Sequence, residues 1–277
     1  MKRVPSDVSL VEKDFYLKEF RSKSLLFALR VADLVSLGDR RSIEEVLSAL
    51  VRNETRTLLL LETDGTAEQR QCIEALCQQS TQGLQSTLLT PTVLSPEADD
   101  DQLLVQVWEV LRTAPIFIGL WPEQGNVSFL LCVQRLAIRL KVYKLVLLDQ
   151  EGGLASARGP TSFLNGPTLK DLQSKIENID GYVERRLPLE TAGRALEGGV
   201  SSVSLCAPSH LARELFTYEG CGTLFTLADY CRVERLALDD FYEVERLMQR
   251  GEREGYLKNR SPNEVSLLLL HGYGAWL

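Results

Sequence analysis

A glycine-punctuated turn near the end of the chain holds the clearest group of residues that could bind a ligand. Residues 219–223 read EGCGT and follow a predicted helix that begins near Ser209. Glycine allows backbone conformations that other residues rarely adopt, so the peptide groups of such a turn can approach a ligand closely. We interpret the turn as a candidate small-molecule site at the boundary between two domains, because a different pattern of elements begins after it.

The cysteines and histidines do not have the spacing of a metal site or a catalytic set. Zinc sites use paired C-x-x-C units, which do not occur among the six cysteines at positions 72, 77, 132, 206, 221 and 231. The two histidines, His210 and His271, do not lie beside a cysteine pair. We therefore expect reduced and mostly buried thiols, no metal site, no catalytic residue, and a structural role for His210.

Composition narrows the class of protein. The chain has 277 residues, of which 44% are hydrophobic, enough for a substantial core. Its net charge of -7 gives no general attraction to nucleic acid or to an anionic membrane. No run approaches the roughly 18 apolar residues of a membrane-spanning helix, and the basic start is not followed by an apolar signal segment. We expect a cytoplasmic protein with no nucleic-acid or membrane partner.

Short apolar runs alternate with amphipathic stretches over most of the chain. The runs have the length of buried parallel strands and lie at 25–31, 57–61, 115–120, 142–148 and 200–205. Helices are predicted between them, at 15–20, 42–51, 67–78, 101–111, 129–140, 169–176 and 189–196. This alternation predicts an α/β fold, a three-layer sandwich around a mostly parallel central sheet.

Two of the predicted helices carry more detailed expectations. In the helix at 42–51, Ser42 and Glu45 have the spacing of a capping box, which predicts that the helix begins there. In the helix at 101–111, the inward face is predicted to consist of Leu104, Val105, Val107, Trp108 and Leu111.

Residues 230–277 follow a different order. A strand is predicted at 230–236, a helix after Asp239 and Asp240, a second helix at 262–270, and a strand at 273–277. Such a β-α-α-β segment buries little apolar surface by itself. It should dock on the first domain, on another subunit, or on residues absent from this chain. The predicted domains are therefore 1–229 and 230–277.

Three stretches of the first domain resemble a known family. Residues 214–223 (ELFTYEGCGT) resemble the ELFT-x-EG-x-GT segment near the end of the amino-acid kinase domain of acetylglutamate kinases and N-acetylglutamate synthases. Residues 145–154 (LVLLDQEGGL) and 195–200 (ALEGGV) are similar to other strand and glycine joins of that domain. The pattern after 230, including 255–261 (GYLKNRS), resembles the opening of a GNAT acetyltransferase domain. The order of the two resemblances is that of N-acetylglutamate synthase-like proteins.

The phosphate-binding features that this resemblance implies are missing. The kinases end their first strand in a lysine and a Gly-Gly pair, where this chain has 30–33 (RVAD). A glycine run after the second strand is replaced by 62–65 (ETDG), and a lysine is absent from 185–189 (RRLPL). Phosphoryl transfer needs peptide groups and lysines around phosphate, and the carboxylate of Asp33 would repel it. The resemblance therefore implies a kinase-inactive domain.

The acetyltransferase chemistry is also incomplete within these residues. GNAT enzymes hold the coenzyme A pyrophosphate with a Q/R-x-x-G-x-G/A loop at a helix N-terminus, and residues 230–277 lack that motif. We expect no cofactor in this chain, and acetyl-CoA only where a complete GNAT domain is present. A fragment of a longer enzyme and a naturally short protein both remain open.

The resemblance further implies an effector site. In arginine-inhibited members of the family, arginine binds between the N-terminal helix and the loop after the last helix of the kinase-like domain. Carried over, the site comprises Phe15, Tyr16, Ser204, Cys206, Glu219 and Gly222. A carboxylate and aromatic rings suit a guanidinium. The alternative is that these residues only shape a turn and pack.

The leading hypothesis is the regulatory portion of an N-acetylglutamate synthase-like amino-acid N-acetyltransferase of arginine biosynthesis. It would sense L-arginine and form a homo-oligomer. The alternative is a non-catalytic scaffold or interaction protein derived from the same family, and a third hypothesis is an active acetylglutamate kinase.

Overall fold

A computed structural model describes residues 9–34, 36–80, 90–95, 99–123, 128–156, 159–175, 185–228 and 241–253, together with 258, 261 and 264. The contacts divide the chain into two compact units, Met1–Ala228 and Asp229–Leu277. Each unit is described by itself. The assignment of the two units to kinase-like and GNAT-like domains stays a prediction.

The first unit is built on an eight-stranded sheet with the order β3-β4-β2-β1-β5-β9-β10-β8. All neighbouring strands of this sheet are parallel except β9 and β10. Its strands are β1 (Ser24–Arg30), β2 (Arg56–Thr63), β3 (Thr92–Val93), β4 (Ile116–Pro122), β5 (Lys144–Leu148), β8 (Phe163–Asn165), β9 (Ser202–Cys206) and β10 (Thr223–Thr226). A separate hairpin pairs β6 (Ala155–Ser156) with β7 (Gly159–Pro160). The mostly parallel sheet is confirmed.

Helices cover both faces of this sheet. They are α1 (Leu10–Phe20), α2 (Leu37–Arg52), α3 (Ala67–Ser80), α4 (Asp100–Leu111), α5 (Phe129–Arg139), α6 (Gly166–Lys175), α7 (Arg186–Glu197) and α8 (Leu211–Phe216). One core lies under α4, α5, α6 and α7, and the other lies under α1, α2, α3 and α8. Successive side chains of β1 enter opposite cores, and residues 25–29 are at most 2% exposed. A strand buried on both faces reads as a continuous apolar run, which explains why the sequence predicted it. The three-layer sandwich is therefore confirmed.

The predicted start of α2 is wrong. The helix begins at Leu37, and its N-cap is Ser36, whose hydroxyl accepts the Asp39 N–H at 3.1 Å while the Asp39 carboxylate accepts the Ser36 N–H at 2.9 Å. Ser42 lies inside the helix. The sequence contains two capping-box spacings, and the aspartate at N3 of the earlier one closes it as a glutamate would.

The inward face predicted for α4 is partly wrong. Val105 and Trp108 are 54% and 50% exposed, whereas Leu103 and Val107 are buried. Apolar residues occupy so many positions of this helix that two faces are similarly apolar. The sheet is covered by the stripe through Leu103 and Val107, and Leu104 and Leu111 pack at its border.

The second unit contributes one described helix, α9 (Phe241–Arg253), where the sequence predicted it. Leu247 on this helix is 45% exposed. The strands predicted at 230–236 and 273–277, and most of the helix predicted at 262–270, lie outside the described residues. No described helix is both long and apolar enough to cross a membrane.

Candidate functional site

A crevice opens at the carboxyl ends of β1, β2 and β5. The strand order places β2 on one side of β1 and β5 on the other, so the winding of the sheet reverses there. Ligands of open α/β sheets bind at such points. The crevice encloses about 250 Å³, and its charged lining residues are Arg30, Glu62 and Asp149.

Arg30 at the end of β1 forms an ion pair with a near neighbour in sequence. A 3-10 turn over Val31–Asp33 folds the Asp33 carboxylate back onto the guanidinium, with distances of 2.9 Å and 3.3 Å between the paired atoms. Burial raises the pKa of the Asp33 carboxyl, and the charge of Arg30 opposes that rise. The end of the strand where the kinases carry lysine and glycines therefore holds an internal ion pair.

A second internal ion pair lies on the other side of the crevice. Arg185, which precedes α7 and is 6% exposed, contacts two carboxylates that follow β5. Its Nη2 atom lies 2.9 Å from Glu151 Oε2, and its Nη1 atom lies 3.1 Å from Asp149 Oδ2. The Nη1 contact lacks hydrogen-bond geometry and is therefore mainly a charge interaction. Among the described residues, the Arg30 and Arg185 guanidinium groups are thus both paired with carboxylates of this chain.

The predicted effector residues on α1 meet the loop after α8. The Phe15 and Tyr16 rings lie 5.8 Å and 5.7 Å from the Tyr218 ring, measured between centroids, and 5.3 Å from each other. Phe15 is 38% exposed and Tyr218 is 60% exposed. The cluster of these three rings therefore presents aromatic surface to solvent. Sequence reasoning missed Tyr218, although it lies beside Glu219 in the segment that carried the family resemblance.

The loop itself is shaped by a carboxylate that the sequence did not single out. Glu214 Oε2 accepts the N–H groups of Cys221 at 3.0 Å and Gly222 at 2.8 Å. Gly220 has a φ of +56°, a conformation that favours glycine, and its N–H donates to Thr217 Oγ1 at 3.2 Å. Hydrogen bonds to an ionised acceptor are about twice as strong as neutral ones. Glu214 therefore holds the loop in one conformation.

Glu219 points away from this anchor. Its side chain is 85% exposed, and its Oε2 atom lies 3.3 Å from Arg213 Nη2. An exposed ion pair of this kind contributes only about 0–1 kcal/mol. The Glu219 carboxylate already interacts with a guanidinium, but weakly enough for a ligand to compete.

The remaining predicted residues lie beneath the loop. Ser204 and Cys206 on β9 are both 0% exposed. The Ser204 hydroxyl has no hydrogen-bond partner within the described residues, and burial raises the pKa of the Cys206 thiol well above its ordinary value. Phe15 and Tyr16 thus contact the residue that precedes Glu219, whereas Ser204 and Cys206 are buried and do not reach the surface.

Lys144, at the start of β5, is a further residue that the sequence analysis passed over. It is 8% exposed, and its ammonium group lies 3.4 Å from Ser202 Oγ. Burial lowers the pKa of Lys144, and the charge of Glu214 partly opposes this effect. A lone charge inside the apolar run 142–148 was the available signal.

We expect Lys144→Met to remove a component of the pH dependence of stability. Because burial lowers the native pKa below the ordinary 10.5, the unfolded chain binds more protons between these two values. The free energy of unfolding of the wild type should therefore rise with pH over that interval. In Lys144→Met this rise disappears, and at pH 7 the variant is more stable by about 1 kcal/mol, because a charge no longer has to be buried.

Urea denaturation between pH 7 and pH 10.5 measures this effect. Lys175→Met, which alters a lysine that is 61% exposed, should keep the wild-type slope. Equal slopes in Lys144→Met and the wild type would contradict the assignment.

The layered sheet, the crevice at its reversal point and the glycine loop define an α/β protein of the amino-acid kinase-like fold. Among solved structures, N-acetylglutamate synthase from Neisseria gonorrhoeae, complexed with coenzyme A and L-arginine, superposes with a TM-score of 0.65. The match covers 93% of this chain and 75% of that chain at 18% sequence identity, and at this identity it establishes the fold alone.

Comparison of sequences identifies relatives with higher identity than this solved structure has. The chain is 34% identical over 134 residues to an acetylglutamate kinase of Xanthomonas campestris, covering 44% of this chain and 28% of the relative. It is 31% identical over 150 residues to the mitochondrial N-acetylglutamate synthase of Mus musculus, covering 50% of this chain and 28% of the relative. No protein-family profile matches the chain. The chain is therefore a relative of acetylglutamate kinases and N-acetylglutamate synthases, and these two matches each span 28% of the relative's own length.

Proposed function

We propose that Met1–Ala228 is a regulatory domain that binds free L-arginine at the surface formed by α1, Tyr218 and Glu219. The observation that carries the proposal is the cluster of the Phe15, Tyr16 and Tyr218 rings, in which Tyr218 is followed directly in the chain by Glu219 with its exposed carboxylate. Aromatic faces attract a guanidinium, and a carboxylate binds it through charge-assisted hydrogen bonds. The parent protein would be an N-acetylglutamate synthase-like amino-acid N-acetyltransferase of arginine biosynthesis, with Asp229–Leu277 as the start of its GNAT domain.

We further propose that this domain does not transfer phosphoryl groups. A phosphoryl-transfer site must supply uncommitted cations and close peptide groups to the phosphates. Here Arg30 and Arg185 are paired with carboxylates of the chain itself. ATP turnover with N-acetylglutamate should therefore be undetectable, and the active-kinase hypothesis would be revived by its detection.

Assembly of several copies is part of the same proposal. Leu10 and Val11 at the start of α1 are 78% and 62% exposed, which supports their use in a contact with a second copy. The second candidate function, a non-catalytic interaction protein, is favoured by Val105 and Trp108, which expose apolar surface on α4. Such a protein would keep the fold and bind none of L-arginine, ATP and acetyl-CoA.

Isothermal titration of the full chain with L-arginine tests the function. The wild type should bind, and Glu219→Ala should lose the binding, because the guanidinium loses its counter-ion. Arg213→Gln should bind up to about fivefold more tightly, because the Arg213 guanidinium no longer competes for Glu219 and an exposed pair contributes at most about 1 kcal/mol.

Glu190→Ala serves as the matched control. Glu190 is a carboxylate on α7, on the opposite face of the sheet from α1, where it pairs with Arg186. Its removal should leave the affinity unchanged. Absence of L-arginine binding in both the wild type and Arg213→Gln would favour the interaction protein.

A further inference from the structure

The crevice at the carboxyl ends of β1, β2 and β5 contains one carboxylate that forms no ion pair or hydrogen bond within the described residues. Of its three charged lining residues, Arg30 pairs with Asp33 and Asp149 pairs with Arg185. Glu62 is opposite Arg30 in the β1–β2 register. The Arg30 guanidinium turns to Asp33 instead, and within the described part of the chain the Glu62 carboxylate has no hydrogen bond or ion pair.

Burial and neighbouring negative charges further disfavour the ionised form of Glu62. The side chain is partly buried, and burial together with the charges of Glu123 and Asp33 raises its pKa, while Arg30 acts in the opposite direction. A cation placed beside Glu62 would offset both the burial and the repulsion. The electrostatics at Glu62 therefore favour a positive group beside this carboxylate.

Apart from its three charged residues and Ser128, the crevice is lined by apolar residues. Its walls come from β1, β5, β9, the start of α5 and the start of α7, and include Leu130, Leu147, Leu187, Pro188 and Leu205. The enclosed volume of about 250 Å³ lies just below the roughly 300–1,000 Å³ of sites for drug-sized ligands. These walls suit a short aliphatic chain.

We propose that this crevice binds a small organic cation, an ammonium or guanidinium group on a short aliphatic body, with Glu62 as its counter-ion. The ligand's charge lies at the carboxyl end of β2, and its carbon chain lies against the leucines of the walls. A phosphate-bearing ligand is disfavoured because both nearby guanidinium groups are already paired. A metal ion is disfavoured because hard cations take six or more oxygen ligands, and Glu62 supplies the one uncommitted carboxylate among the lining residues.

Protein-observed NMR titration of the full chain with n-butylammonium chloride tests the proposal. The expected dissociation constant is on the order of 1 mM, because the ligand has few atoms. Glu62→Gln keeps the shape of the side chain and removes its charge, and it should weaken binding about tenfold, because a hydrogen bond to a charged group is lost. Thermal unfolding of Glu62→Gln establishes that the variant is folded.

Two controls separate this site from general charge effects. Butyrate matches the probe in shape and carries the opposite charge, and it should not bind. Glu109→Gln removes an exposed carboxylate that neither lines the crevice nor shifts the pKa of Glu62, and it should change the affinity no more than about twofold. The proposal is overturned if butyrate or ATP binds as tightly as butylammonium, if Glu62→Gln binds like the wild type, or if no shifts occur up to 50-fold above the expected constant, about 50 mM.

Discussion

Arg185→Leu should lower the free energy of unfolding by about 3 kcal/mol, because it leaves a carboxylate beside the sheet without its counter-ion. Removing one partner of a buried ion pair costs about 3–5 kcal/mol. Arg185 is 6% exposed, and the side chain of Asp149 is 22% exposed, so the lower end of that range applies. Asp149 would retain one hydrogen bond, from the Glu151 N–H at 2.8 Å.

Urea denaturation of a small set of variants measures this effect. Arg186→Leu is the matched control, since Arg186 is an exposed neighbour whose pair with Glu190 is worth no more than about 0.5 kcal/mol. The double variant Asp149→Asn with Arg185→Leu should recover part of the loss, because both charges are gone. A loss in Arg185→Leu no larger than that in Arg186→Leu would show that the pair does not stabilise the fold.

Arg185→Lys separates stability from chemistry. It places a lysine near the position where the kinases carry one and keeps one positive charge for Asp149. Compared with Arg185→Leu, it should restore most of the free energy of unfolding. It should not restore both contacts, to Asp149 and Glu151, in fixed geometry, because an ammonium is a point charge and a guanidinium is a planar fork. We expect it to remain without ATP turnover, because Arg30 is still paired with Asp33 and the Val31–Asp33 turn still replaces glycines.

Sequence pattern was sufficient for the sheet because its central strands are buried on both faces. Residues 25–29 and 58–61 are at most 2% exposed, so no polar residue interrupts the apolar runs that predict them. The sequence pattern predicted the ends and the buried faces of the helices less well. The exposed Trp108 and the early start of α2 at Leu37 depend on which of two equivalent local patterns the neighbouring elements select, and local sequence does not contain that choice.

The residues of the candidate sites also fall into those that the sequence indicated and those that only the folded structure reveals. Phe15, Tyr16 and Glu219 were predicted through the resemblance, and in the structure the two rings contact Tyr218, the residue that precedes Glu219. Glu214 was missed because its function depends on two N–H groups seven and eight residues away, which only the folded loop presents to it. Ser204 and Cys206 were also carried over through the resemblance, and both are completely buried on β9, which the sequence alone did not indicate.

The crevice and the loop after α8 differ in the interactions that their charged residues make. At the crevice, the Arg30 and Arg185 guanidinium groups are paired with carboxylates of the chain itself, so neither is uncommitted for binding an anion. At the loop, the carboxylate that shapes the backbone, Glu214, is distinct from the carboxylate that faces solvent, Glu219. Glu219→Ala should therefore test the proposed binding of L-arginine without unfolding the loop.

In contrast to Glu219→Ala, the substitution Gly222→Ala should disturb the conformation of the loop itself. An added Cβ would lie 2.3 Å from Leu205 O and 2.7 Å from Cys206 Cβ, both far inside normal contact distance. Overpacking of this kind costs about 1–3 kcal/mol. We expect the upper part of that range, because Leu205 belongs to a central strand and the loop must move instead. Moving the loop lengthens the two hydrogen bonds to Glu214.

Denaturation and amide hydrogen exchange together test this prediction. Gly222→Ala should lose about 2–3 kcal/mol of stability, and the Cys221 amide should exchange faster because its bond to Glu214 is weakened. Gly38→Ala is the matched control. Gly38 lies in the first turn of α2 with only the Ser36 hydroxyl within 4 Å, at 3.4 Å, and alanine there should stabilise by about 0.5–1 kcal/mol. Equal effects of the two substitutions would mean that the loop accommodates a side chain at 222, and that its close approach to β9 does not set its conformation.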